Sequence, residues 1–324
     1  MRSRPIAFIS LGMTETTSNS DQALPETDEM LTIPPAPPEV KRAQGGPVSH
    51  EPPAPGYGAY APGFVSKIGL AIGRALPASR AGLRLAGAAR PLALSGMKAG
   101  VADVQALGLK LRLHPTDNLS EKRLFMTPQC FDPAELEALR SIMGPGKAFM
   151  DIGANAGAYA LVAALAGGEK SRVIAVEPQR EMRRRLSFNA RQNALGQIEM
   201  AGVALADYEG EEVMRMISGN HGQARLGGSE GEAVRVTTLL TLMDELKLTK
   251  AHAMKVDVEG GEAAILSHFF AKAPKTRWPD LLILERADMA DGRTTPDAAA
   301  LALSKGYRIR QSTRMNVILD RDAR

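Results

Sequence analysis

The chain has 324 residues, 44% of them hydrophobic, enough for one substantial core with an appendage or for two small domains. Its 40 Lys and Arg against 36 Asp and Glu leave a net charge of only +4, so the chain as a whole makes no strong case for nucleic acid or an anionic membrane, and any basic patch has to be local. A single cysteine, Cys130, excludes an intramolecular disulfide and a Cys-rich zinc site and suits a reducing compartment.

The apolar stretch Ile6 to Leu11 is too short for an ordinary signal peptide, and no window approaches the roughly 18 apolar residues of a spanning helix, so a soluble, cytoplasmic protein is expected. Residues 1–63 form a first segment. From Ser18 it is rich in Pro, Gly, Glu and Ser, with Pro34-Pro35-Ala36-Pro37-Pro38 and Pro52-Pro53-Ala54-Pro55-Gly56, and has too little apolar surface to fold. Residues 64–104 form a second. Lys67, Arg74, Arg80, Arg84, Arg90 and Lys98 lie there, with no acidic residue between Phe64 and Ala102, and short helices broken at Pro77 and Pro91 are expected. A helical cap with a solvated basic face accounts for this composition without any partner. Peripheral contact of 64–102 with an anionic membrane, or with an acidic acceptor, is the other reading.

Residues 105–324 read as a folded α/β unit. Leu109, Leu111 and Leu113 alternate with Lys110 and Arg112 as a strand, and Pro115-Thr116-Asp117-Asn118 reads as a turn. Asp132 is placed as an N-cap, with Pro133 at the first helical position and Glu135 three residues after the cap. The helix should run to about Met143, before Gly144-Pro145-Gly146. Apolar runs then alternate with helical stretches: Ala148 to Ile152, Arg172 to Val176, Met200 to Leu205, Ala253 to Val258 and Leu281 to Leu284. Such a rhythm predicts a mostly parallel sheet with helices on both faces. Tyr307 to Gln311 and Met315 to Leu319, joined by Ser312-Thr313-Arg314, should add an antiparallel hairpin.

The sharpest local signal is Phe149-Met150-Asp151-Ile152-Gly153-Ala154-Asn155-Ala156-Gly157, a strand ending in an acidic residue and a glycine turn that opens a helix. Glu177 ends the next apolar strand, where a carboxylate accepts hydrogen bonds from ribose hydroxyls. The arrangement points to a nucleoside-containing cofactor. A dinucleotide fingerprint wants glycine in the middle of the turn, against the pyrophosphate, and here Asn155 stands there. S-adenosylmethionine has no pyrophosphate, and Asp151 suits its cationic aminoacyl end, so it is preferred over NAD. The plain structural reading stays open beside this one: Gly153 and Gly157 make a tight turn, and Glu177 caps the helix after Pro178.

With Val176-Glu177-Pro178, Val203-Ala204-Leu205, Val236-Thr237-Thr238-Leu239 and Lys255-Val256-Asp257-Val258-Glu259-Gly260-Gly261-Glu262, the region from Leu111 to Leu319 resembles the FkbM family of methyltransferases. The resemblance implies a class I methyltransferase (Rossmann-like) fold, S-adenosylmethionine as donor, and a hydroxyl acceptor on a sugar, polyketide or related small molecule. It puts Asp151, Gly153, Asn155 and Gly157 on the methionine side, Glu177 on the ribose, and Ala204 and Asp207 at the adenine edge. Leu240 departs from the Asp common in the family after Thr-Thr-Leu.

Ligands of open α/β sheets bind at the carboxyl ends of the strands, where Lys255, Asp257 and Glu259 stand; these are the candidate catalytic residues. Asp257 or Glu259 would orient or deprotonate the acceptor hydroxyl. The alternative is a Lys255–Asp257 ion pair, with Glu259 capping the next helix. Glu285 and His221 are weaker candidates on the same rim, and His252 sits at the amino end of its strand. Asp257, Glu259 and Glu285 could offer oxygen ligands to a metal, but carboxylates without a clear spacing rule are poor evidence and no metal is assigned. Arg183-Arg184-Arg185 read as a solvated face. Two further functions stay open beside O-methyl transfer to a small-molecule or glycan acceptor: an NAD-linked oxidoreductase, and a non-catalytic Rossmann-like binding protein.

Overall fold

A computed structural model of the chain describes residues 55–77, 79–216, 224–226, 231–258, 260–286 and 297–321. Most of the Pro-rich segment, together with His221 and Glu259, lies outside the described residues.

The basic region forms two helices, α1 (Phe64–Ala75) and α2 (Arg80–Leu94). The break falls at Pro77, and α2 starts with the Ser79 side chain accepting from Gly82 N. Pro91, expected to end a helix, instead lies inside α2. It stands in the last turn, where the loss is the single backbone bond to Gly87.

Two short strands follow, β1 (Ala102–Ala106) and β2 (Leu109–Leu113), paired antiparallel apart from the main sheet. The expected boundary at residue 104 therefore cuts through β1. Arg112, one of the polar positions of β2, is buried against Asp103 at 2.8 and 2.9 Å and stacked between the rings of Tyr60 and Phe188. Its remaining N–H groups donate to the carbonyls of Pro55 and Gly56, while Asp103 accepts from the backbone N–H of Gly58 and Tyr60. Residues 55–60, assigned by composition to the unfolded segment, are thus held against β1 and β2.

Asn118 caps α3 (Leu119–Met126) by accepting from Glu121 N at 3.1 Å. Pro133 opens α4 (Pro133–Ile142) as expected, but Asp132 makes no side-chain cap: its backbone is left-handed and its carboxylate turns to Arg123 and Tyr159. Glu135 closes no capping box either; it is buried and accepts from Thr313 and Asn316.

The main sheet contains β3 (Ala148–Ile152), β4 (Arg172–Val176), β5 (Ile198–Ala201), β10 (Ala253–Val256), β11 (Leu281–Glu285), β12 (Tyr307–Ser312) and β13 (Asn316–Arg321), in the order β12-β13-β11-β10-β3-β4-β5. The five strands from β11 to β5 are parallel, and β13 and β12 finish the sheet antiparallel. Period-two alternation sends Phe149, Val173 and Ala253 into one core and Met150, Ile174 and Met254 into the other. Helices α4, α5 (Ala158–Gly167) and α6 (Arg180–Gln192) cover the first face. On the second lie α7 (Leu239–Glu245), α8 (Glu262–Lys272) and α9 (Ala298–Ser304).

The expected strand Met200 to Leu205 is two strands. The backbone leaves the main sheet at Gly202, where a Cβ would meet the Arg183 guanidinium at 2.8 Å, and resumes as β6 (Ala204–Ala206) in a second sheet with β7 (Gly210–Met216), β8 (Ala224–Leu226) and β9 (Glu232–Thr238). The chain passes β3, β4 and β5 on one side before crossing to β10 and β11 on the other. The switch in direction lies between β3 and β10, where open α/β sheets bind ligands.

Candidate active site

A cleft of about 550 Å³ opens at the carboxyl ends of β3, β4, β10 and β11. Asp151, Gly153, Asn155, Glu177, Ala204, Asp207, Lys255, Asp257 and Glu285 all line it. Gly157 lies beneath the cleft, where a Cβ would strike the Leu186 side chain at 2.2 Å. The glycines are thus required by the protein's own packing: Gly153 has φ +77°, and a Cβ there would lie 1.8 Å from the Asp257 carbonyl oxygen.

The turn is tied to Glu177, whose carboxylate accepts from Asn155 N and Gln179 N, each at 2.8 Å. Burial pushes this carboxyl up, against the pull of those two amides and of Arg183. Asn155 is left-handed, with Oδ1 accepting from Ala156 N and from Asn118 Nδ2 at 2.7 Å. Asn118 therefore reaches across from the start of α3 to hold the turn.

Asp151 is fully buried, and its Oδ2 accepts from Ala160 N while Oδ1 has no partner among the described residues. Burial pushes its pKa up to about 6, opposed by Lys255 and the Ala160 amide. Such an orphaned acidic oxygen at a cleft floor fits the ammonium of an amino-acid moiety.

Lys255 is opposite Asp151 in the parallel ladder, and its Nζ meets Asp257 Oδ2 at 2.6 Å. Although β10 ends at Val256, the side chains of Lys255 and Asp257 share a side as period two requires. Burial disfavours the ammonium, but Asp257 and Asp151 more than offset it and hold Lys255 above its usual value. The same Nζ lies 5.0 Å from the centre of the Tyr159 ring. The Tyr159 hydroxyl donates to Asp132, and burial with the charges of Asp132 and Glu135 keeps it protonated far into the alkaline range. Glu262 accepts from Val258 N and Gly260 N, bracing the loop ahead of α8. Its carboxylate lies with those of Asp257 and Glu285, their oxygens within 4.8 Å of one another.

Asn118, Glu121, Arg123, Asp132, Tyr159 and Asn316 also face the cleft and carry no sequence motif. His252 lies at the amino end of β10, where its Nδ1 accepts from Ala148 N, away from the cleft. Arg185 is not solvated: it is buried and paired with Glu121, Asp117 and Glu181.

The model of the methyltransferase FkbM domain matches residues 151–309. No curated protein matches the chain. Among solved structures, a precorrin-6y C5,15-methyltransferase from Geobacter metallireducens is 11% identical, covering 61% of this chain and 89% of that one at a TM-score of 0.38. An rRNA methylase from Streptococcus thermophilus is 12% identical, covering 58% and 94% at 0.36. The TrmK of M. capricolum, solved with S-adenosyl-homocysteine, is 10% identical, covering 58% and 68% at 0.34.

Proposed function

Residues 151–309 belong to the methyltransferase FkbM family, and from that premise we propose that the chain transfers a methyl group from S-adenosylmethionine to a hydroxyl of a sugar, glycan or other small molecule. The fold is that of the class I methyltransferases, five parallel strands finished by an antiparallel hairpin. The observation that carries the reading is the orphaned oxygen of Asp151 in the same cleft as the buried Glu177. Asp151 would receive the donor's ammonium. The Glu177 oxygens keep lone pairs for the ribose hydroxyls after accepting from the two amides. Ala204 and Asp207 border the part of the cleft left for adenine. Asn155 disfavours NAD, because its side chain fills the middle of the turn that a pyrophosphate would have to approach.

When bound, S-adenosylmethionine supplies a methyl group on a sulfonium, open to in-line displacement. The chain's part is to hold an acceptor oxygen on that line and to take its proton. Asp257 Oδ1 is the proposed acceptor of that proton, with Oδ2 held by Lys255. Alignment should carry most of the acceleration, and a general base adds roughly 10²- to 10⁴-fold. Lys255 holds Asp257 in place through that contact, and Glu259, two residues further along the sequence, is the other candidate base.

Mass spectrometry of ligand released from the purified protein, with calorimetry of S-adenosylmethionine, tests the donor; a nicotinamide would overturn the reading. Methyl-tritiated donor in a cell extract then tests transfer. Label in a glycan or small-molecule fraction supports it, whereas donor binding with no labelled product supports a non-catalytic binding protein.

A further inference from the structure

We propose that the α1–α2 hairpin docks on an anionic lipid surface. Helix α1 is built inside out: Ser66, Gly69, Leu70 and Gly73 are its buried residues, and a Cβ on Gly69 would stand 2.3 Å from the Ala93 backbone nitrogen of α2. Apart from Leu70 its large apolar side chains point the other way, with Phe64 80% exposed and Val65, Ile68 and Ile72 between 41% and 46%. At about 100° per residue these four fall within one arc of about 100°, a continuous stripe on the face that an ordinary surface helix gives to charged residues. On helix α2, Leu85 and Leu92 are also exposed and, at the same angular spacing, share one side, with the exposed Leu83 on the opposite side.

The charge carried by the hairpin itself has one sign. Lys67, Arg84, Arg90 and Lys98 are exposed and make no ion pair among the described residues, and no acidic residue lies between Phe64 and Ala102. An apolar stripe bordered by cations is what a helix lying in a lipid interface requires: the apolar side chains enter the acyl boundary and the cations meet phosphate headgroups. An acidic protein would answer the cations but leave the Phe64–Ile72 stripe without a counterpart. No helix among the described residues is long and apolar enough to cross a membrane, so the contact is peripheral. The hairpin is fastened to the body: Arg74 donates to Phe125 O, and Gln129 donates to the carbonyls of Gly73 and Leu76. Helix α3, to which it is fastened, walls the cleft.

The test is co-sedimentation of the full chain with vesicles of phosphatidylcholine alone and of phosphatidylcholine with phosphatidylglycerol. Binding to the anionic vesicles should be at least about tenfold stronger and should fall with salt, since each cation near the surface contributes roughly a fivefold factor. Phe64→Ser with Ile68→Ser, and separately Lys67→Glu with Arg84→Glu, should each cut it about tenfold or more at unchanged melting temperature. A Phe64→Trp variant should shift its emission to the blue on anionic vesicles only, against a buried and constant Trp278. Equal binding to both vesicles at low salt, or wild-type binding by either double variant, would overturn the proposal. So would capture on immobilised polyglutamate without vesicle binding, which would assign the hairpin to an acidic protein.

Discussion

The carbonyl oxygen of Asp257 occupies the space that a side chain on Gly153 would need, 1.8 Å from the Cβ position. The donor turn and the acceptor strand therefore touch backbone to backbone, and the Asp257 N–H continues the contact by donating to Ile152 O at 3.0 Å. Gly153→Ala should combine a left-handed strain of about 1–2 kcal/mol with displacement of Asp257. Turnover should fall further than donor affinity; an alanine variant with wild-type kcat would show that the strand end yields freely.

Asp257→Asn should lower kcat about 10²-fold or more while the donor Kd moves only a few fold. Asp257 is 35% exposed, and Lys255 retains Asp151, so solvent screening limits the stability loss to about 1 kcal/mol. Melting temperature, calorimetry and turnover on one preparation separate the two effects. Wild-type turnover in a markedly destabilised variant would leave the pair purely structural.

Glu177→Ala should weaken the donor roughly ten- to a hundredfold, as a carboxylate accepting hydroxyl bonds does. It also strips acceptors from the amides of Asn155 and Gln179, so the variant should lose about 1–3 kcal/mol of stability in denaturant unfolding. Glu177→Gln keeps one acceptor oxygen and should lose less of both. Unchanged affinity in the alanine variant would remove the ribose assignment.

Donor affinity should fall as pH drops through about 6, where Asp151 takes up a proton. The sign for folding is opposite. A carboxyl whose folded pKa is raised favours the folded state most below its unfolded value, and that contribution, on the order of 3 kcal/mol, is lost as pH rises through about 6. Calorimetry across pH 5 to 8 (roughly the span over which such a group changes charge) should show proton release on binding, and Asp151→Asn should abolish both dependences.

Truncation separates two parts of the N-terminal segment. Removing residues 2–53 should leave the melting temperature unchanged, whereas removing residues 2–60 should lower stability by about 2–5 kcal/mol, because Arg112 and Asp103 then lose the carbonyls of Pro55 and Gly56 and the amides of Gly58 and Tyr60. Equal melting temperatures for the two truncations would show the contact to be energetically idle.

What could be read in the chain beforehand was local. The Asp151–Gly157 turn is legible because its left-handed residues and flanking strand lie in one short stretch, and the parallel strands are legible as apolar runs. Arg112 sits at a polar position of an alternating strand and is buried only because Asp103, Tyr60 and Phe188 converge on it from three places. Asn118 reads as part of a turn, and nothing near it announces its bond to Asn155. Strands β7 and β9 give no clear sequence signal because they carry Glu and Arg among few apolar residues, and their sheet is held by a small core of its own.

The shared rung between Ile152 and Asp257 also limits how this protein can be re-engineered. A new acceptor specificity is usually sought by exchanging whole loops between relatives, as if donor and acceptor halves were separable modules. Here the module boundary cannot fall between β3 and β10, since any transplanted loop that moves the Asp257 carbonyl also moves the floor under the donor turn. Exchange is safe only beyond Val258, where Glu262 fastens the backbone afresh through the amides of Val258 and Gly260.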